Sequence, residues 1–400
     1  MPAAASTPPG FSPPQPAILA CALVVAGALV AAAASVGSRQ MVLFGLGAAL
    51  GIVLYHAAFG FASAYRVLIE QRDARGVRAQ LVMLAAATLL FAPALAQGSL
   101  FGREVVGAIA PAGLSVAFGA FIFGVGMQLA GGCGSGTLYA AAGGQGRMLV
   151  ALAAFCAGSF WASLHMAFWQ RLPAPPEIAL GEAWGWPAAV VAQLAVLGAL
   201  WLWLRRYDHA PSMPASRRGA ARLVQGPWPL LGGALALAGL NFATLATAGH
   251  PWSITWAFTL WGAKVARVFG WDPASEPFWN SGFQSSALEA SVFADTTSVM
   301  DFGILAGAFL AAALAGRFVF RLKHPPGAIA AAVLGGLAMG YGARIAFGCN
   351  IGAFFSGVAS TSLHGWLWIA TALPGCWVGV RLRPWFGLGL REPQAPRLTP

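Results

Sequence analysis

Apolar runs long enough to cross a bilayer recur along this 400-residue chain. A hydrocarbon layer about 30 Å thick takes roughly 20 residues of helix at 1.5 Å each. Ala17 to Val36, the run from Met41 past Gly60, Ala79 to Ala96, Gly113 to Gly132, Met148 to Trp169 and Pro187 to Leu204 meet that length or approach it. Trp228 to Ala248, Trp252 to Phe269, Ser298 to Phe320, the run from Gly327 and His364 to Val380 follow. With 58% of residues hydrophobic and 9% charged, the chain lies far from soluble globular composition. The sequence therefore predicts an all-α polytopic membrane protein in contact with the lipid bilayer.

The net charge of +11 raises nucleic acid as a partner, but Arg and Lys fall almost entirely in short loops between apolar runs. The positive-inside rule accounts for them there, and no nucleic-acid partner is expected. That rule puts Glu70 to Arg78, Arg205 to Arg222, Arg321 to His324 and the tail from Arg381 in the cytoplasm, and the acidic stretches Pro173 to Trp186 and Gly270 to Thr297 outside. The two apolar runs between the Arg205 linker and Gly270 must then cross an odd number of times, so one is re-entrant. Trp252 to Phe269 is the candidate, with Trp261-Gly262 in mid-run and Lys264 and Arg267 snorkelling to an interface. Five cysteines without Cys-x-x-Cys or His-Cys spacing speak against a disulfide framework, a zinc site or a thioredoxin-type motif, and no metal or cofactor is expected.

One motif occurs twice. Gly124 to Gly136 (GVGMQLAGGCGSG) and Gly340 to Gly352 (GYGARIAFGCNIG) agree at six of thirteen positions after a shift of 216 residues, which carries Cys133 onto Cys349. Glycine this dense interrupts a helix, and irregular backbone at membrane depth is tolerated only beside protein or a wet cavity. A duplicated, glycine-broken hydrophobic segment points to a transport site where two repeats meet. The loop after the first motif reads as external and that after the second as internal, so the expected architecture is two inverted-topology repeats with glycine-broken, re-entrant helices. The expected boundaries are a disordered tail at 1–16, a first membrane repeat at 17–204, a basic cytoplasmic linker at 205–227, a second repeat at 228–385 and a C-terminal tail at 386–400.

The chemistry concentrates at the breaks. Gly132, Cys133 and Gly136 in one copy answer to Gly348, Cys349 and Gly352 in the other, with Gly134-Ser135 between them in the first and Asn350-Ile351 in the second. Ser135 and Asn350 are good N-cap types for short half-helices, whose free N–H groups and positive dipole ends suit an anion. Arg344 adds a full charge about one turn before Cys349, where a charge is costly and usually functional; Gln128 stands at that position in the first copy. A neutral, polarizable S–H is a weak donor that a soft anion can meet without repulsion. Cys21, Cys156 and Cys376 are read as packing residues, and His56 as a structural histidine.

Through Gly132-Cys133-Gly134-Ser135-Gly136, Phe347-Gly348-Cys349-Asn350-Ile351-Gly352 and the inverted duplication, the chain resembles the YeeE/YedE family of bacterial membrane proteins, whose characterised type takes up thiosulfate. The resemblance implies an inner-membrane permease, not an enzyme, in which Cys133 and Cys349 relay a small sulfur oxyanion through thiol hydrogen bonds. Where that family often carries a further cysteine after glycine-phenylalanine, this chain reads Gly60-Phe61-Ala62, which leaves thiosulfate, sulfite, other sulfur oxyanions and selenium compounds open. Any soluble sulfur-carrier protein would be a separate partner. A divalent anion moving inward works against about 2.3 kcal/mol per charge per 100 mV, and Asp301 is the one weak candidate for a proton site. The competing reading is a membrane thiol-disulfide oxidoreductase passing electrons between Cys133 and Cys349.

Overall fold

A computed structural model describes residues 13–208 and 221–389. Of the expected tails and linker, residues 1–12, 209–220 and 390–400, with Arg391, lie outside the described residues.

The apolar runs become helices whose ends carry the usual punctuation. α1 (Pro16–Val36), α2 (Ser38–His56), α3 (Phe61–Gln71) and α4 (Arg75–Gln97) are followed by a two-strand turn, β1 (Ser99–Leu100) and β2 (Arg103–Glu104). Then come α5 (Leu114–Ala130), α6 (Gly134–Ala142), α7 (Gly146–Ser163), the short α8 (Met166–Gln170) and α9 (Leu180–Trp184), and α10 (Trp186–Leu204). After α11 (Ala221–Gln225) follow α12 (Leu230–Ala248), α13 (Thr255–Val268), α14 (Gly282–Glu289), α15 (Thr296–Leu314) and α16 (Pro326–Ile345). A π turn, Asn350–Phe355, runs straight into α17 (Ser356–Ala359), and α18 (Leu363–Leu382) ends the bundle. Proline sits in the first turn of α1, α10 and α16, where its missing N–H costs nothing. Left-handed Gly98, Gly131 and Gly249 close α4, α5 and α12, as glycine does at helix C-termini.

Nine segments among the described residues are long and apolar enough to span a membrane. α1 and α10 are the least buried of them, exposing Val24 and Val191 at 72% and 68%, as helices facing lipid would. The bundle has two chemically distinct ends. At the basic end Arg78 pairs with Asp208, Arg75 with Asp73, and Gly144–Gly146 exchanges backbone hydrogen bonds with Arg321. At the other end Arg39 and Arg103 donate to the carbonyls closing α12, and Leu180 N–H donates to Thr361 O at 2.8 Å.

Four long helices make the centre. α5 lies along α16 and α18, and α16 lies along α7 as well; around them α2 packs on α15, α4 on α12 and α10, and α1 on α15 and α2. The contact between α5 and α16 is backbone to backbone: a Cβ on Gly342 would come within 2.4 Å of Gly119 O. Aromatic rings fill the middle, with Phe155 centred 6.1 Å from Phe123 and 4.8 Å from Phe258. The segment expected to be re-entrant divides into an irregular stretch and a short helix. The irregular stretch 249–254 is held by Trp252 N–H on Asn241 Oδ1 at 2.8 Å and Ser356 Oγ–H on Trp252 O at 2.8 Å. α13 then runs over only 14 residues, roughly 21 Å. Its outer end is tied by Lys264 Nζ to the carbonyls of Leu288 and Ala290, both at 2.6 Å, and by Arg267 to Glu289; both cations therefore bind protein rather than reach freely for solvent.

Candidate functional site

Each cysteine motif closes a crossing helix, turns inward, and starts a half-helix that returns to the end it came from. α5 reaches the basic end, where its Gln128 carbonyl accepts from Arg383 at 2.6 Å. The chain doubles back through Gly131-Gly132-Cys133, and α6 returns to Gly144, beside Val319 and Arg321. α16 reaches the opposite end, where Tyr341 accepts from Trp169 Nε1 at 2.9 Å. There the chain doubles back through Phe347-Gly348-Cys349, and the π turn with α17 leads out to Ser360, whose hydroxyl accepts from Ala108 N–H at 2.9 Å. The second turn depends on glycine: Gly348 holds φ +146°, and a Cβ there would lie 2.7 Å from Ala353 N.

The half-helices are capped by the cysteines themselves, not by Ser135 and Asn350 as the residue types suggested. Cys133 Sγ accepts from Gly136 N–H and Cys349 Sγ from Ile351 N–H, each at 3.4 Å. The helices start two residues earlier than a Ser135 cap and one residue earlier than an Asn350 cap would require, so sulfur takes the capping position and its lone pairs meet the first free N–H groups. Each thiol hydrogen is then left to donate elsewhere. Ser135 sits 3.4 Å from Cys133 Sγ through its hydroxyl, inside the first turn.

The two caps meet. A Cβ on Gly134 would lie 3.3 Å from Cys349 Sγ, and one on Gly352 would lie 3.2 Å from Ser253 Oγ. Cys133 and Cys349 are 1% and 0% exposed, and all five cysteines are free thiols. Around this junction several buried polar atoms have no hydrogen-bond partner: both ends of the Asn350 amide, Tyr65 Oη, Gln128 Oε1 and Trp252 Nε1. Tyr65 Oη approaches the Asn350 amide without completing a hydrogen bond, and Gln128 Oε1 lies toward the Cys376 thiol. Such groups cost about 1–3 kcal/mol each when left unpaired, and clustered at one place they mark where a polar guest fits. From the basic end a cavity of about 90 Å³ reaches Cys133, lined also by Ser63, Arg66, Gly132, Gly136, Tyr139 and Gln145. A second cavity, about 140 Å³, adjoins it through Ala58, Gly60 and Ser63.

Arg344 stands apart from the thiols. Its guanidinium lies 5.3 Å from the Phe278 ring and 6.0 Å from Trp256, with Nε buried and unpaired, toward the end opposite the cavity. Gln128 Nε2 donates to Ala62 O at 3.1 Å, which fixes the amide and turns its oxygen inward. Tyr65, Trp252 and Cys376 were absent from the sequence-derived set. Tyr65 follows the break at Gly60, a weak signal; Cys376 sits in a plain apolar run and gave none.

A bundle of helices long and apolar enough to span a membrane, interrupted by two short helices that start at cysteines, defines a polytopic all-α membrane protein. The sulphur transport family matches residues 56–378, and the chain belongs to that family. It is 30% identical to the thiosulfate transporter TsuA of Spirochaeta thermophila over 83% of this chain and 95% of that protein. Identity to the thiosulfate transporter TsuA of Escherichia coli is 28%, over 86% and 96%. The match to the probable transporter YedE of Escherichia coli is 35% identical over 155 residues, so the chain spans only 37% of that relative's length.

Proposed function

We propose that the protein is a permease for a small sulfur-containing anion, thiosulfate foremost, taken up across a bacterial inner membrane with its basic end in the cytoplasm. The observation that carries the reading is the contact of Cys349 Sγ with Gly134, which brings two thiol-capped helix N-termini end to end inside the bundle. An anion there faces two positive dipole ends, two S–H donors and the unpaired amide N–H group of Asn350. Arg344 is the attracting charge at the outer approach, and the 90 Å³ cavity beside Cys133 is the inner exit. The names and near full-length coverage of the TsuA relatives support the substrate class. A soluble sulfur carrier receiving the anion at the basic end would suit this exit.

The same reading makes the halves inverted repeats. Gly126 abuts Gly335 and Met339 of α16 while Gly342 abuts Gly119 and Phe123 of α5; Gly124 abuts α18 while Gly340 abuts α7. α2 on α15 answers to α12 on α4, and α1 on α15 answers to α10 on α4. The last exchange pairs α10 with α1, so we infer that the second repeat begins at α10, and that the repeat boundary is the 164–185 loop rather than the basic linker.

Uptake of radiolabelled thiosulfate into proteoliposomes tests the proposal, with sulfate, sulfite and selenite as competitors. A hydrogen bond to a charged group contributes about 1.5–3 kcal/mol, so Cys133→Ala and Cys349→Ala should each lower uptake roughly ten- to a hundredfold. Equal uptake by wild type and both variants sinks the site. An electron carrier would instead need a reversible Cys133–Cys349 disulfide, which mass spectrometry after mild oxidation would detect.

A further inference from the structure

Asp301, in the second turn of α15, is 0% exposed, and neither carboxylate oxygen has a hydrogen-bond donor. No other Asp or Glu among the described residues is so enclosed; the nearest in burial, Asp295, is 9% exposed and satisfied by Ser298 N–H at 2.7 Å and Trp256 Nε1 at 3.0 Å. An ionised carboxylate without donors or a counter-charge is among the most costly groups to bury, and a buried carboxyl inside a span is a functional candidate by default. The permease site described above leaves it without a role.

Its surroundings supply one. Asp301 lies within electrostatic range of the Cys349 thiol and of Cys156 on α7, and Asp295 lies within range of Asp301. The other titratable groups among the described side chains of α1, α2, α6 and α13, which pack against α15, are placed elsewhere. Arg39 of α2 binds the carbonyls of Thr247 and Ala248, and Tyr55 and His56 stand near Arg317. Tyr139 of α6 stands near Cys133, Cys21 of α1 is exposed, and Lys264 and Arg267 of α13 are held by the 288–290 segment. Among the described side chains, therefore, no cation pairs with this carboxyl, while the proposed anion station at Cys349 lies within its electrostatic reach.

We propose that Asp301 is the proton-binding site that couples inward movement of the anion to inward movement of a proton. The inference rests on the permease reading. An anion at Cys349 and an ionised Asp301 would repel each other across a low-dielectric interior. The anion therefore favours the protonated acid, and by linkage the protonated acid favours the anion by the same factor. Anion and proton load together from the outer side; once the anion has left past Cys133, the carboxyl loses its reason to hold the proton and releases it inward. No bond other than O–H forms or breaks, and one negative charge of the cargo is offset in each cycle.

The test uses the full-length protein in proteoliposomes with the membrane potential clamped at zero by potassium and valinomycin. With the outside more acidic, wild type should accumulate thiosulfate about tenfold more per pH unit for each coupled proton, and a trapped pH dye should report acid entering with it. Asp301→Asn, close in shape to the protonated acid, should still exchange labelled for unlabelled thiosulfate, while its accumulation no longer follows the pH gradient. If that variant does not fold, Asp301→Ser decides in its place, and Asp301→Glu should keep the dependence. Wild-type accumulation indifferent to the gradient, or an Asn variant that follows it like wild type, overturns the proposal. Absence of any thiosulfate exchange by wild type defeats the permease reading itself, and the coupling with it.

Discussion

Sulfur in place of oxygen at the two caps decides what these half-helices can offer. A serine or aspartate cap binds its N–H groups strongly and holds them. A thiol accepts the same bonds weakly, at the 3.4 Å seen for Cys133 and Cys349, and surrenders them more readily to an arriving anion. The unpaired groups nearby carry a further expectation at this scale. Because Tyr65 Oη bonds nothing in the protein, Tyr65→Phe should leave thermal stability unchanged or slightly raised, since removing an unsatisfied hydroxyl removes a desolvation cost. If that hydroxyl meets the cargo, thiosulfate uptake should fall by roughly five- to tenfold, the effect of losing about 1 kcal/mol or a little more. A stability loss with unchanged uptake would assign Tyr65 to packing instead. The residue types in the motif pointed to the junction at which Cys133, Cys349, Asn350 and Gln128 meet or adjoin. They were silent on Tyr65 and Cys376, which arrive from distant stretches of chain and carry no local signature.

The half-helices depend on backbone geometry more than on side chains. Gly348 takes a φ that disfavours any Cβ and has no room for one, so Gly348→Ala should cost about 1–3 kcal/mol, read as a lower unfolding temperature in detergent. Gly239, within α12, has nothing within 4 Å of its Cβ position. Gly239→Ala should therefore leave stability unchanged or raise it by up to about 1 kcal/mol. If both substitutions behaved alike, the turn at Cys349 would not have the geometry described. The spans and the two broken segments were legible because apolar length and glycine density are local properties. The caps were not, since Ser135 and Asn350 are the better cap types by composition. The start of each helix was set by where the inward turn ends, which depends on the helices packed around it.

Across the whole molecule the site is asymmetric: a cavity reaches Cys133 from the basic end, while Cys349 lies beneath the chain between α12 and α13 and beneath Trp368, whose Nε1 donates to Gly348 O at 3.2 Å. In a background with Cys21, Cys156 and Cys376 replaced by alanine, a small charged thiol reagent added from the basic side should label Cys133 well before Cys349. Thiosulfate should slow that labelling. Faster modification of Cys349 from the same side would mean that the accessible path runs elsewhere.

The amino-acid sequence by itself determined the class of fold, the number and rough extent of the apolar runs, the two breaks and the sign of charge at each end, because all of these follow from composition within a window of about twenty residues. Tertiary structure alone decided that Cys349 rests against Gly134, that Arg344 lies among aromatic rings away from the thiols, and that Asp301 is enclosed without a partner. Those outcomes depend on which helix faces cross. Helix crossing is set by the close packing of glycine-bearing faces such as Gly119 against Gly342, contacts more than two hundred residues apart that no local reading of the chain contains.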